Sequence, residues 1–315
     1  MNVQVITSAN IIIKINTVIL MIYNKLSGFS DEISSEISVQ FEVFNKLGIS
    51  YFEPRGIDGK NISELNENEV LNLKDKMETA GIKASSVGSP VGKIKITDDF
   101  NEHFEMFKRV VKTAKVLGSK YIRIFSFYAD GDWTKEKENE VLYRLQKMID
   151  YAKENGVTLL HENEKDIFGD TKEKCLILAE RLSCENFALV FDPANFVQCG
   201  ENTIKAFELL KPYIEYLHIK DSKEDGTIVP AGEGEGNIDY ILKELFKDGF
   251  DGFISLEPHL GTFEGLAALE LDDKMLNLPK GGEGTFSLAF NKLNEIINNI
   301  KVINHENDIS LIWGR

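Results

Sequence analysis

The feature that most narrows what this chain can fold into is an alternation, repeated eight times, of a short apolar run and a longer amphipathic stretch. Residues 25–29 read as a first strand, after which Asp31 or Ser34 caps a helix through Val39, Phe41, Phe44 and Leu47, apolar at helical spacing and stopped by Gly48. Strands follow at 49–52, 82–87, 121–125, 157–162, 187–191, 214–218 and 253–257. Between and after them, helical periodicity covers about 67–80, 101–117, 134–155, 172–182, 203–210, 240–246 and 286–300. Eight such units in about 280 residues match the count and size of a (β/α)8 barrel. A doubly wound open sheet is the competitor, and it more often carries a GxGxxG turn after its first strand; none occurs there. No change of composition interrupts the alternation, so we expect one α/β domain, a single TIM barrel over residues 25–301, with 302–315 as a C-terminal tail.

The later strands share a second property. Each is apolar while buried and turns polar where it ends. Val157–Leu160 runs into His161-Glu162-Asn163-Glu164, Phe187–Phe191 into Asp192-Pro193-Ala194-Asn195, Ile214–Leu217 into His218-Ile219-Lys220-Asp221, and Phe253–Leu256 into Glu257-Pro258-His259. In a barrel all these ends face one mouth, and adjacent strands stand about 5 Å apart. Glu162, Asp192, His218 and Glu257 can therefore reach one ion. Three carboxylates and an imidazole without a thiolate suit Mn²⁺, Mg²⁺, Co²⁺ or Zn²⁺. The alternative for any one of them is a solvated strand end or a helix cap. Four at matching positions argue against that.

These motifs, His-Glu-Asn at 161–163, Asp-Pro-Ala-Asn at 192–195, His-Ile-Lys-Asp at 218–221 and Leu-Glu-Pro-His at 256–259, resemble those of the xylose-isomerase-like TIM barrels, the sugar isomerases and epimerases. The resemblance covers about Lys25 to Ile300. It implies that Glu162, Asp192, His218 and Glu257 bind the metal and that Glu162 and Glu257 form the acid/base pair. The chemistry is coherent without it. Moving a proton beside a carbonyl makes an enediolate, whose oxygens a divalent ion stabilises. A carboxylate on each side of the carbon can take the proton from one face and return it on the other. Epimerisation needs both faces, and aldose–ketose isomerisation needs one base and a relay. A lyase or dehydratase on a keto-sugar, keto-glycoside or keto-inositol would use the same enediolate and expel a substituent. A non-catalytic sugar-binding barrel is a further alternative.

Other polar residues near the expected mouth are candidates for substrate binding. Arg55 and Arg123, at the second and fourth strands, would grip hydroxyls, a carboxylate or a phosphate, or else form structural ion pairs. Asn163, Asn195 and Lys220 would brace the ligands or touch substrate. Asn195 stands where many relatives have a histidine. His259 would contact substrate or sit buried and hydrogen-bonded. His161 alternates away from the side of Glu162, and Glu164 lies one step beyond the strand end on that side. Phe125, Phe127, Tyr128 and Trp133 would stack on a sugar or cap the barrel. The loop from Pro230 to Gly236 reads as a flexible wall, since its glutamates oppose a phosphate, and residues 266–284 as a lid.

Composition closes off several functions. With 36 basic against 51 acidic residues, a net charge of -15 and only five histidines, the chain lacks the basic face a nucleic acid requires and the extra ligands of a related repair endonuclease. Cys175, Cys184 and Cys199 form no CxxC pair, which points to a reducing, cytoplasmic setting. The expected partner is a small carbohydrate, with no membrane, and a homo-oligomer is compatible. Residues 1–24 are set apart as an N-terminal extension. The apolar runs Ile11–Ile13 and Val18–Ile22 are too short to span a bilayer. They read as an added element, a weak anchor or upstream sequence from a mis-set start. The last is favoured because Met21 closely precedes the first strand.

Overall fold

The structure, a computed structural model, describes residues 25–269 and 278–313. Leu26–Gly28, Phe253–Leu256, Ile214–Ile219, Phe187–Phe191, Thr158–Glu162, Tyr121–Ile124 and Ser86–Gly88 lie side by side and parallel. The first strand thus sits against the eighth, and the order runs down from there to the third. The second strand, Tyr51–Phe52, pairs with Lys83–Ala84, the opening part of the third. On its other side the Glu53 N–H donates to the Gly28 carbonyl at 2.9 Å, which closes the ring. The result is a (β/α)8 barrel of the α/β class.

Ile37–Leu47, Glu67–Ala80, Phe100–Leu117, Lys135–Glu154, Lys172–Leu182, Thr203–Leu210, Ile238–Lys247 and Glu283–Trp313 are the helices that follow the eight strands. Asn66, Asp99, Thr134, Thr171 and Asn202 cap five of them by accepting a backbone N–H. Gly81 and Gly118 end two of them at φ of 71° and 75°, where a side chain would be strained. One expected start differs. The first helix begins at Ile37 after a 3₁₀ turn at Ser30–Glu32, and neither Asp31 nor Ser34 caps it. Asp31 is drawn instead to the Arg55 guanidinium, a charge-assisted contact stronger than a cap. A short helix, Pro193–Gln198, starts at Asp192 where the periodicity predicts none. Residues 1–24 lie outside the described residues, and of the expected lid so do 270–277; Leu266–Leu269 within it is helical. Among the described residues no helix is long and apolar enough to cross a membrane.

Strand alternation sorts side chains between two cores. Leu160, Val190, Tyr216 and Phe253 pack together with Tyr51, Tyr121 and Ala188 inside the ring. Leu159, Leu189, Leu217 and Ile254 face outward and join the larger core under the helices. Two residues beyond the inward Leu160, Val190 and Tyr216 come Glu162, Asp192 and His218. Two and four beyond Phe253 come Ser255 and Glu257. The same parity from Tyr51 and Tyr121 selects Glu53, Arg55 and Arg123. The polar mouth is the barrel interior continued upward.

Candidate metal centre

Glu162, Asp192, His218 and Glu257 are all buried, and one ligand atom of each lies within 4.8 Å of the others. His218 is the hub. Its Nδ1 stands 2.9 Å from Glu162 Oε1 and 3.2 Å from Glu257 Oε2. Lys220 Nζ lies 3.0 Å from Asp192 Oδ2 and 3.6 Å from Glu257 Oε2, yet neither of these buried oxygens accepts a hydrogen bond. Buried carboxylate oxygens with charge partners but no hydrogen bond suit a cation. Three carboxylates and one imidazole within that 4.8 Å span are donors that a small divalent ion takes. The donor set fits such an ion.

Two arginines aim the glutamates. Arg123 Nη1 donates to Glu162 Oε2 at 2.7 Å and Arg55 Nη1 to Glu257 Oε1 at 2.8 Å. Arg55 is itself fixed by Asp31, at 2.8 and 3.0 Å, and by Glu32 at 3.4 Å. The Phe29 ring lies 4.2 Å from the Arg55 guanidinium and 5.3 Å from that of Arg123, and meets the His218 imidazole edge-on at 5.2 Å. Burial opposes ionisation of Glu162, but His218 and Arg123 outweigh it and hold the carboxyl at about 2. Glu257 is likewise held well below the usual carboxylate range by Lys220 and His218, against its burial. At Asp192 burial prevails, only partly offset by Lys220, and the group rises to about 7. Burial also lifts Glu32, to about 8, against the pull of Arg55.

The amides brace the strand ends. The Asn163 side chain holds the Asp192 backbone, its Nδ2 donating to the Asp192 carbonyl and its Oδ1 accepting from the Asp192 N–H, both at 2.9 Å. The Asn195 N–H donates to Asp192 Oδ1 at 3.0 Å, and its side-chain nitrogen to the Asn163 carbonyl at 2.9 Å and to Glu162 Oε1 at 3.4 Å. His259 has a φ of 47°; its N–H donates to Glu32 Oε2 at 2.7 Å and its Nε2 lies 3.5 Å from Glu257 Oε1. His161 points away from the ligands, with Nε2 2.9 Å from Ser126 Oγ, and burial pushes it down to about 3. Glu164 pairs with Lys93 at 3.1 Å. Phe125 lies 4.6 Å from Arg123 at the mouth, whereas Phe127 belongs to the core and Trp133 packs edge-on against Phe168.

The glycine loop has an occupant of its own. The amides of Gly232, Gly234 and Gly236 donate to the Asp221 carboxylate at 2.8, 3.1 and 2.8 Å, so a side chain of the chain itself fills the nest. Several residues of the mouth are not singled out as site candidates by a reading of the sequence: Phe29, Asp31, Glu32, Glu53 and Lys93. For Glu53 a signal exists, since it ends the second strand as Glu162 ends the fifth and shares its parity with Arg55.

Residues 41–273 match a family model described as xylose isomerase-like TIM barrel. An inosose isomerase from Halalkalibacterium halodurans is 25% identical over 251 residues, which cover 75% of this chain and 88% of that protein. A 3-dehydroshikimate dehydratase from Bacillus anthracis is 24% identical over 213 residues, covering 62% and 74%. A crystal structure of the IOLI protein with a bound zinc atom is similar in fold, with a TM-score of 0.69 at 20% identity over 88% of this chain and 99% of that one.

Proposed function

The chain belongs to the xylose isomerase-like TIM barrel family, and from that premise we propose that it is a divalent-metal-dependent isomerase or epimerase of a ketose or keto-sugar derivative. One observation carries the reading. Glu162 and Glu257 are both buried, each is aimed by its own arginine, and both converge on the Nδ1 of one histidine. Two ionised carboxylates flanking one small volume suit proton transfer at a carbon beside a carbonyl. Glu162, Asp192, His218 and Glu257 would hold a Mn²⁺, Mg²⁺, Co²⁺ or Zn²⁺ ion, whose Lewis acidity stabilises negative charge on the substrate oxygens. One glutamate takes the C–H proton, and the opposite face receives a proton relayed from solvent through the other. Asn195, Lys220 and His259 are assigned to substrate hydroxyls, while Asn163, whose side chain is taken up by the Asp192 backbone, braces that ligand. Arg55 and Arg123 act on substrate through the glutamates they aim.

A second reading, elimination of a β-hydroxyl from the same intermediate, is favoured by the likeness to a dehydratase. Solvent-exchange measurements separate the two. Mn²⁺-loaded protein in D₂O is offered ketoses, keto-inositols and 3-keto-glycosides. Isomerisation or epimerisation introduces deuterium beside the carbonyl and keeps every substituent, and Glu162→Gln or Glu257→Gln lowers the rate about 10²–10⁴-fold. Loss of water with formation of an enone assigns the dehydratase. Neither exchange nor elimination in any class, with the metal site saturated, overturns the enzymatic reading.

A further inference from the structure

Below the ligand set lies a carboxylate to which neither the family likeness nor the reading above gives a task. Glu53 is buried at the end of the second strand. Its Oε2 accepts hydrogen bonds from the Tyr216 hydroxyl and the Ser255 hydroxyl, both at 2.9 Å, and lies 3.2 Å from His218 Nε2. Ser85 Oγ stands 2.9 Å from the Tyr216 oxygen and 2.6 Å from Ser27 Oγ, so strands one, two, three, seven and eight all contribute to one polar layer across the barrel. The other oxygen, Oε1, is buried without a hydrogen bond.

We propose that Glu53 is the positioning residue of the metal centre, fixing the His218 imidazole with its hydrogen on Nε2 and its lone pair on Nδ1. Nδ1 faces the strand-end ligands, where the ion would take its lone pair, and Glu53 Oε2 already accepts from two hydroxyls, so the hydrogen belongs on the Nε2 that faces Glu53. The nitrogen facing Glu162 and Glu257 is then the ligand atom. A structural role alone explains the site poorly. Tyr216 and Ser255 are neutral donors, for which an amide acceptor serves as well, while a carboxyl group at this depth is costly to desolvate. Placed behind an imidazole that would hold a cation on its far side, a carboxyl oxygen accepting from Nε2 raises the basicity of Nδ1.

The inference rests on the metal-binding reading of the four strand ends, and the test keeps the two apart. Mn²⁺ affinity is measured by calorimetry on the full chain, wild type and Glu53→Gln, with the circular dichroism of the metal-free proteins as the folding control. The expected result is Mn²⁺ binding by the wild type and a dissociation constant about 10–100-fold higher in the variant, with unchanged metal-free spectra. Equal affinity in the two proteins overturns the role of Glu53 alone. A wild type that binds no Mn²⁺ overturns the metal reading as well. Should Glu53→Gln not fold, nitrogen NMR of zinc-loaded, ¹⁵N-histidine-labelled wild type decides. Hydrogen on Nε2 and coordination through Nδ1 uphold the assignment, and the reverse tautomer refutes it.

Discussion

A histidine that accepts a hydrogen bond from a backbone amide has to stay neutral. His103 does so, its Nε2 taking the Gly92 N–H at 2.8 Å, and burial, with the charge of Arg144 added, pushes it down to about 4. In an unfolded chain the same group titrates near about 6.5. Between those values the unfolded state binds the additional proton. The stability owed to neutral His103 is therefore complete above the unfolded value and is lost as the pH falls toward the folded one. Urea unfolding of the metal-free protein is expected to show the advantage of wild type over His103→Gln shrinking by about 2 kcal/mol from about pH 7 to about pH 4.5. An advantage constant over that range would refute the assignment. At this scale the sequence reveals the metal-ligand candidates, because each closes an apolar run. It hides the partners. Arg55 meets Asp31 and Glu257 only because the ring brings strands one, two and eight together, and no local pattern encodes that.

Among the elements, the helices are the most legible. The spans 172–182 and 203–210 coincide with those observed, since helical periodicity, caps and stops agree there. The short helix after Asp192 was concealed by its own chemistry. Asp192 followed by Pro193 is a helix start, with the carboxylate as cap and the proline in the first turn, while the same residues also read as part of a site. The loop after the third strand turns on Gly92, at φ of 90°, where an added Cβ would come within 2.1 Å of the Phe125 carbonyl oxygen. Gly118 is also left-handed, but a Cβ there meets nothing. Gly118→Ala is thus expected to cost about 1 kcal/mol, the backbone penalty alone. Gly92→Ala should cost at least about 2–3 kcal/mol, because backbone must move as well. Equal midpoints in denaturant for the two variants would show that the approach at Gly92 is relieved without expense.

For the molecule as a whole, the eightfold alternation left few topologies open, and closure into a ring follows from it. How the ring closes was not legible. The second strand has two residues and the third is split at Ser85, too short for any periodicity to register. At the mouth Arg55, Arg123, Lys93 and Lys220 are each already paired with a carboxylate, and Asp31, Glu32, Glu53, Glu162, Glu164, Asp192 and Glu257 outnumber them. Such a mouth attracts dications. An ion that binds only the folded barrel stabilises it by about 2.7 kcal/mol at a hundred times its dissociation constant. In a domain of this size each kcal/mol moves Tm by about 2–4 °C, so EDTA added to Mn²⁺-saturated protein should lower Tm by about 5–10 °C. A Tm indifferent to chelation would count against the centre.

The Asp221 carboxylate that holds Gly232, Gly234 and Gly236 has a consequence for conformational entropy. A glycine-rich loop left free would have to be ordered when a substrate arrives, at about 1–2 kcal/mol for each residue fixed. Here one carboxylate, next in the chain to Lys220, fixes three of its amides during folding. The wall after the seventh strand is therefore set before binding, and substrate recognition is relieved of that entropic cost.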